Sequence, residues 1–340
     1  MLLPTSTTYS STDFQLSTGG NLPQLDVAYE TWGTLAPDAN NAILLCHGYT
    51  SHPHAGGEGG WFSNLMGPAK AVDTDKYFVV CSNMLGSSYG TSGPSSTNPE
   101  TGKPYGPDFP KYTTADMVAA QHRLIDHLGN KQLKAVMGYS YGGHLTYLWG
   151  ATHPDRMRAL VPIAGVIERK TTMAEAKAIR DQYAACPGWN GGFYYGQEKE
   201  SGVFDELVKA RKKRLAMYGI GRHLVDIEDD ASERDRIMQQ QAVTWAGQFD
   251  ANSLDILYEA GIGSSAVSRA GNIKAPLLNV LSRTDSVVDV ALGQPTVDML
   301  RDLGVDARFL EIDTEYGHAG PMIDGHKWAG DLKEFLDSTP

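Results

Sequence analysis

The sequence predicts an α/β protein, with a mainly parallel sheet, helices on both faces and an all-helical segment inserted into it. Three observations carry that expectation. Short apolar runs alternate with longer helical patterns, as they do where parallel strands are joined by crossover helices. The apolar runs are nearly continuous, which suits strands buried on both faces. From about residue 166 to 270 the helical patterns continue while the strand signals stop.

Taken in order, "NAILLCHG" (41–48), "KYFVVCSN" (76–83), "LKAVMGYS" (133–140) and "RALVPIAG" (158–165) each read as a buried strand ending at Gly or a small polar residue. "APLLNVLSRTD" (275–285) and "ARFLEID" (307–313) read the same way. Helices are expected over 115–129, 142–154 and 294–304. Within the strand-free stretch, "TTMAEAKAIRDQYAA", "GVFDELVKARKKRLAMYG" and "SERDRIMQQQAVTWAGQFDANSLDILYEAG" are helical. The expected organisation is therefore a core made of 1–165 and 271–340, with 166–270 inserted as a helical cap over it. The loops 50–75 and 85–110 lack regular patterning, and loops this long in a compact domain are usually functional.

The 340 residues suffice for one large α/β domain with an insertion. The net charge of −11 argues against binding to nucleic acid or an anionic membrane. Cys46, Cys81 and Cys186 are too dispersed for a disulfide framework or a zinc site. No apolar stretch approaches the ~20 residues of a membrane span. The N-terminus "MLLPTSTTYS" lacks a basic region followed by an apolar run. A cytoplasmic location is expected.

"VMGYSYGG" holds Gly138-Tyr139-Ser140-Tyr141-Gly142, a G-x-S-x-G pattern between an apolar run and a helix. In a strand–turn–helix elbow the serine takes a strained backbone that small neighbours must tolerate, and its hydroxyl stands at the C-terminal end of the sheet. Serine at its normal pKa is a poor nucleophile and needs a base. In this architecture the acid and then the histidine follow in the chain. Asp285 lies just past one late strand and His318 just past the next. Asp289 is the competing acid, deeper into the following helical region. The oxyanion donors expected are the backbone N–H groups of Tyr141, after the nucleophile, and Tyr49, in the loop after "LLCHG". His47 is expected to brace that loop. His52, His54 and Glu58 make an alternative metal reading, but a serine triad needs neither metal nor cofactor and none is expected.

Several stretches, "LLCHGYTSHPHAGG", "GPAKAVDTDKYFVVCSNMLGSSYGTSGPSSTNPETGKPYGPDFP", "TADMVAAQHRLIDHLG", "PGWNGGFY", "FDANSL" and "EYGH", resemble the homoserine O-acetyltransferase family of α/β-hydrolases from about residue 14 to the C-terminus. The resemblance implies an α/β-hydrolase core with a helical cap, a triad of Ser140, Asp285 and His318, ping-pong acyl transfer, and a homodimer paired through the caps. It also implies that an Arg and a Tyr of the cap bind the substrate. Arg211 and Tyr218 have the matching separation of two helical turns, although Arg211 to Arg214 also reads as a solvated basic face.

The chain departs from the family's pattern at two places. "GYSYGG" stands for the usual "GGSMGG", and "GHAGP" stands where the family has an acidic residue after the histidine to hold the substrate ammonium. Ala319 carries no charge, and an unpaired buried ammonium costs several kcal/mol. Asp324 would substitute only if its loop folds back. The sequence therefore favours hydrolysis of a small acyl ester, an acetate above all, with transfer from acetyl-CoA to homoserine or another alcohol as the alternative. A silent binding protein on the same fold would have no need of an activated serine.

Overall fold

A computed structural model describes residues 4–339. Met1, Leu2 and Leu3, the start of the stretch read for a leader, and Pro340 lie outside the described residues. Eight strands form one sheet: β1 (Thr5–Gln15), β2 (Asn21–Trp32), β3 (Ala42–Cys46), β4 (Phe78–Ser82), β5 (Ala135–Tyr139), β6 (Leu160–Ile163), β7 (Leu277–Ser282) and β8 (Ala307–Ile312). Their order is β1-β2-β4-β3-β5-β6-β7-β8. From β4 to β8 every pairing is parallel. All six strands expected from the apolar runs are present.

Their side chains alternate between two cores, as a pleat with both faces covered requires. Leu44 and Val136 join one apolar cluster, which α1 (Thr114–His127) and α2 (Tyr141–Thr152) cover. Ile43, Leu45 and Met137 join the other, with Leu332, Phe335 and Leu336 of the C-terminal helix. A Thr113–Asp116 capping box starts α1, and the same Asp116 carboxylate accepts the Ser17 N–H at 2.7 Å, tying the first hairpin to the helix.

The first two strands are the difference from expectation. β1 pairs antiparallel with β2, and β2 antiparallel with β4. β1 is an edge strand, polar and exposed along most of its length, so it has little apolar signal. β2 buries Leu22, Leu25, Val27 and Tyr29 on one face, a half-buried alternation rather than a continuous run.

Between β6 and β7 run five helices: α3 (Met173–Ala184), α4 (Val203–Met217), α5 (Ile220–Ile227), α6 (Ala231–Ala246) and α7 (Ala251–Ala260). α5 was not expected, and the long third helical pattern is broken in two. Asp250 makes the break: it caps α7 through the Asn252 N–H at 2.9 Å and accepts the hydroxyls of Tyr194 at 2.6 Å and Tyr195 at 2.9 Å. After β7 come α8 (Gly293–Asp302) and, past β8, the short α9 (Gly320–Ile323) and α10 (Ala329–Ser338). Among the described residues no helix is long and apolar enough to cross a membrane.

Candidate active site

Because β3, β5, β7 and β8 are parallel, the loops leaving their C-terminal ends share one edge of the sheet. Those loops carry Tyr49, Ser140, Asp285 and His318. Ser140 sits between β5 and α2 at φ 57°, ψ −113°, a strained conformation for a non-glycine residue. Its turn fits only because the residues two positions before and after it, Gly138 and Gly142, lack side chains. A Cβ on Gly138 would lie 2.1 Å from the Gly142 carbonyl oxygen, and one on Gly142 would lie 1.9 Å from that of Cys46.

His318 Nε2 lies 2.8 Å from Ser140 Oγ, and its Nδ1 lies 2.7 Å from Asp285 Oδ2. The Val287 and Val288 N–H groups donate to the other carboxylate oxygen at 2.7 and 3.1 Å. These bonds fix the orientation of the carboxylate and leave one oxygen for the imidazole. Both side chains of the His–Asp pair are out of water. Asp289, the competing acid, instead caps the next turn through the Ala291 N–H at 2.9 Å. Thr284 links the two loops: its hydroxyl donates to the Thr314 carbonyl at 2.7 Å and accepts the Gly317 N–H at 3.1 Å.

The tyrosines flanking Ser140 explain the departure in its motif. The Tyr139 hydroxyl donates to the His318 carbonyl at 2.9 Å, and the Tyr141 hydroxyl donates to the Leu257 carbonyl of α7, also at 2.9 Å. Tyr49, whose ring stacks on Tyr141, donates its hydroxyl to Leu254 of the same helix. The side chains of the two expected oxyanion residues thus hold α7, while their backbone amides make no hydrogen bond among the described residues. His47 is fully buried, and burial lowers its pKa to about 4. Its Nε2 accepts the Met84 N–H at 3.1 Å and its Nδ1 donates to the Gly48 carbonyl at 2.8 Å, so it braces the loop. His54 spends its nitrogens on Glu30 and the Glu58 carbonyl, each at 2.8 Å. Among the described residues no group of three His, Cys, Asp or Glu could hold a metal.

A chamber of about 300 Å³ opens on Ser140 and His318, and Arg211, Tyr218, Thr50 and Ala319 line it. The Tyr218 ring lies 5.2 Å from that of His318, and its carbonyl accepts the Ala319 N–H at 2.8 Å. Arg211 donates to Thr50 Oγ1 at 2.9 Å and stacks its guanidinium 5.1 Å from the Trp245 ring centre. The basic run on α4 therefore splits with the helical period. Lys212 pairs outward with Asp235 at 2.9 Å and Lys213 is exposed, while Arg211 and Arg214 turn inward. Among the described residues no carboxylate lines the chamber. Asp324 stays outside it, paired with Lys327 at 2.9 Å, so Ala319 has no substitute. Thr50, Trp245 and Thr284 were missed in the sequence, where isolated Thr and Trp residues carry no spacing signal.

A family model described as the alpha/beta hydrolase fold matches residues 41–295. A homoserine O-acetyltransferase of Moorella thermoacetica is 38% identical over 94% of this chain and 92% of its own. The chain belongs to the homoserine O-acetyltransferase family. As such it is an enzyme of the α/β-hydrolase superfamily. Two solved structures share its fold at 24% identity and a TM-score of 0.87: a homoserine O-acetyltransferase from Bacillus anthracis, matched over 100% of this chain and 99% of that one, and esterase E22, over 98% and 100%. A transferase and an esterase match equally well, so the fold alone does not separate the two reactions.

Proposed function

We propose that the protein is an O-acyltransferase that moves an acetyl group from acetyl-CoA, through an acyl-Ser140, to the hydroxyl of homoserine or another alcohol bearing a carboxylate. The observation that carries this reading is the 38% identity, over nearly the whole length of both chains, to a homoserine O-acetyltransferase. It outweighs the preference for hydrolysis drawn from the sequence.

The distances support the following roles. His318 Nε2 takes the Ser140 proton as the oxygen attacks the thioester carbonyl, and returns it to the leaving thiolate. Asp285 holds the ring and favours the imidazolium that forms. The free amides of Tyr49 and Tyr141 receive the oxyanion. In the second half the acceptor hydroxyl gives its proton to His318 and attacks the acyl carbon, the bond from that carbon to Ser140 Oγ breaks, and His318 passes the proton to Oγ. Arg211, enclosed and without an acid partner, is the group for the acceptor's carboxylate. Tyr218 closes the wall beside His318. We read 166–270 as the cap and 1–165 with 271–340 as the core.

Hydrolysis is the second reading, and Ala319 is the observation that favours it. A zwitterionic acceptor finds a partner for its carboxylate but none for its ammonium, which leaves acyl-Ser140 to water. Purified protein supplied with acetyl-CoA and L-homoserine decides between them by mass spectrometry. O-acetylhomoserine formed faster than free acetate supports transfer; acetate alone, at saturating homoserine, overturns it.

A homodimer through the cap would cover apolar side chains exposed there: Met217 is 49% exposed, Val225 50% and Ile227 62%. Ile227→Asp is expected to convert a dimer to a monomer in light scattering. A wild-type monomer at the same concentration sinks that pairing.

A further inference from the structure

Ser140 opens on a second cavity, of about 600 Å³, twice the volume of the chamber that holds His318 and Arg211. The two share Tyr49, Ser140 and Tyr218 and diverge from there. The second runs past Tyr141 and the 164–171 loop, and His318 does not line it. That difference assigns the two halves of an ester. The base must exchange its proton with the alcohol or thiol oxygen or sulfur, so the alcohol lies on the histidine's side. The acyl chain leaves the same carbonyl carbon in another direction, and the cavity without His318 is the space open to it.

An acetyl group fills little of that space. Most of the wall is apolar, with Val166, Ile167, Ile179, Leu281 and Val288. Two guanidiniums enter it, Arg214 one turn beyond Arg211 on α4 and Arg169 from the 164–171 loop. Arg169 stacks 4.2 Å from the centre of the Tyr141 ring, directly beside the nucleophile. Neither arginine has an ion pair among the described residues, and the polar neighbour of the Arg214 guanidinium is the uncharged Tyr183 hydroxyl. Arg214 Nη1 and Arg169 Nε are closed off from solvent with no partner. Glu168 and Lys170 line the same cavity, but both are exposed and opposite in sign, so they leave the two arginines uncompensated. Enclosed donors without partners are costly, and an anionic ligand group satisfies them.

We infer that this cavity is the acyl site and that it accepts, beyond acetyl, acyl groups ending in a carboxylate, the monoacyl derivatives of dicarboxylic acids, with Arg214 and Arg169 as partners of the distal carboxylate. The inference rests on the acyl-Ser140 reading above. Ser140 Oγ forms the new bond to the acyl carbon, the donor's carbon–oxygen or carbon–sulfur bond breaks, and the proton passes through His318 to the leaving group. The distal carboxylate stays ionised throughout.

The test compares mono-p-nitrophenyl esters of glutarate, adipate and suberate with the neutral p-nitrophenyl valerate, hexanoate and octanoate, corrected for spontaneous hydrolysis. For at least one chain length kcat/KM is expected to favour the acidic ester about ten-fold, the equivalent of one good charge-assisted contact. Arg214→Met and Arg169→Met should bring that ratio to one or below, and Arg214→Lys should keep part of it. Because each ratio is taken within one variant, a loss of folded protein does not change it. A neutral preference at every length, or a ratio untouched by Arg214→Met, overturns the inference. If p-nitrophenyl acetate acylates Ser140 while the acidic esters gain nothing, this inference alone fails; if no ester acylates it, the acyl-serine reading falls as well.

Discussion

Ser140→Ala is expected to lower turnover of p-nitrophenyl acetate and of acetyl-CoA by on the order of 10⁶-fold, since removal of the nucleophile of a working triad costs about that much. The change deletes one oxygen at a position where alanine meets the same backbone strain as serine, so the thermal midpoint should stay near that of the wild type. The acetyl adduct on the 133–152 peptide should vanish with the activity. Asp285→Asn should leave the distances unchanged yet cost about 10⁴-fold, because an amide no longer selects the imidazole tautomer that accepts the serine proton. Turnover of Ser140→Ala within ten-fold of the wild type would place the chemistry elsewhere.

The second large effect is a gain. Ala319 is buried, 8% exposed, on the wall of the chamber that also holds Arg211. Ala319→Asp puts a carboxylate across that chamber from the guanidinium and provides for the ammonium of an amino-alcohol. A matched ion pair in an enclosed site is worth about 1.5–3 kcal/mol, so the KM for homoserine should fall roughly ten- to hundred-fold. The KM for a hydroxy acid without an amine should not fall. If the homoserine KM is unmoved, Ala319 is not what limits recognition of the ammonium.

The strands, and the Ser140, Asp285 and His318 side chains that the structure brings within hydrogen-bond distance, were readable in the sequence for one physical reason. Strands buried on both faces need continuous apolar runs, and a strained elbow needs glycines at fixed places, so both leave dense local marks around Ser140. Asp285 and His318 followed from chain order after two such strands. The hairpin of β1 and β2 was not readable, because a half-exposed edge needs little apolar surface. The break at Asp250 was marked by Gly247 and Asp250, a stop followed by a cap, but the surrounding helical pattern masked it. The division of the basic run on α4 was open in the sequence. Which arginines face inward depends on how the helix is rotated over the sheet, and that is decided by packing far along the chain. The second cavity left no sequence signal, since its walls come from segments as distant as Tyr49 and Thr296.

Tyr49 and Tyr141 have a mechanical consequence. Their hydroxyls are fastened to the backbone of α7, while their amides are the donors proposed for the oxyanion. A hinge movement that lifted α7 would pull on both rings and displace both donors together. Uncovering the serine by that route would switch off its own charge stabilisation. On that reading, traffic in and out is expected to pass between side chains along the rim while α7 stays in place.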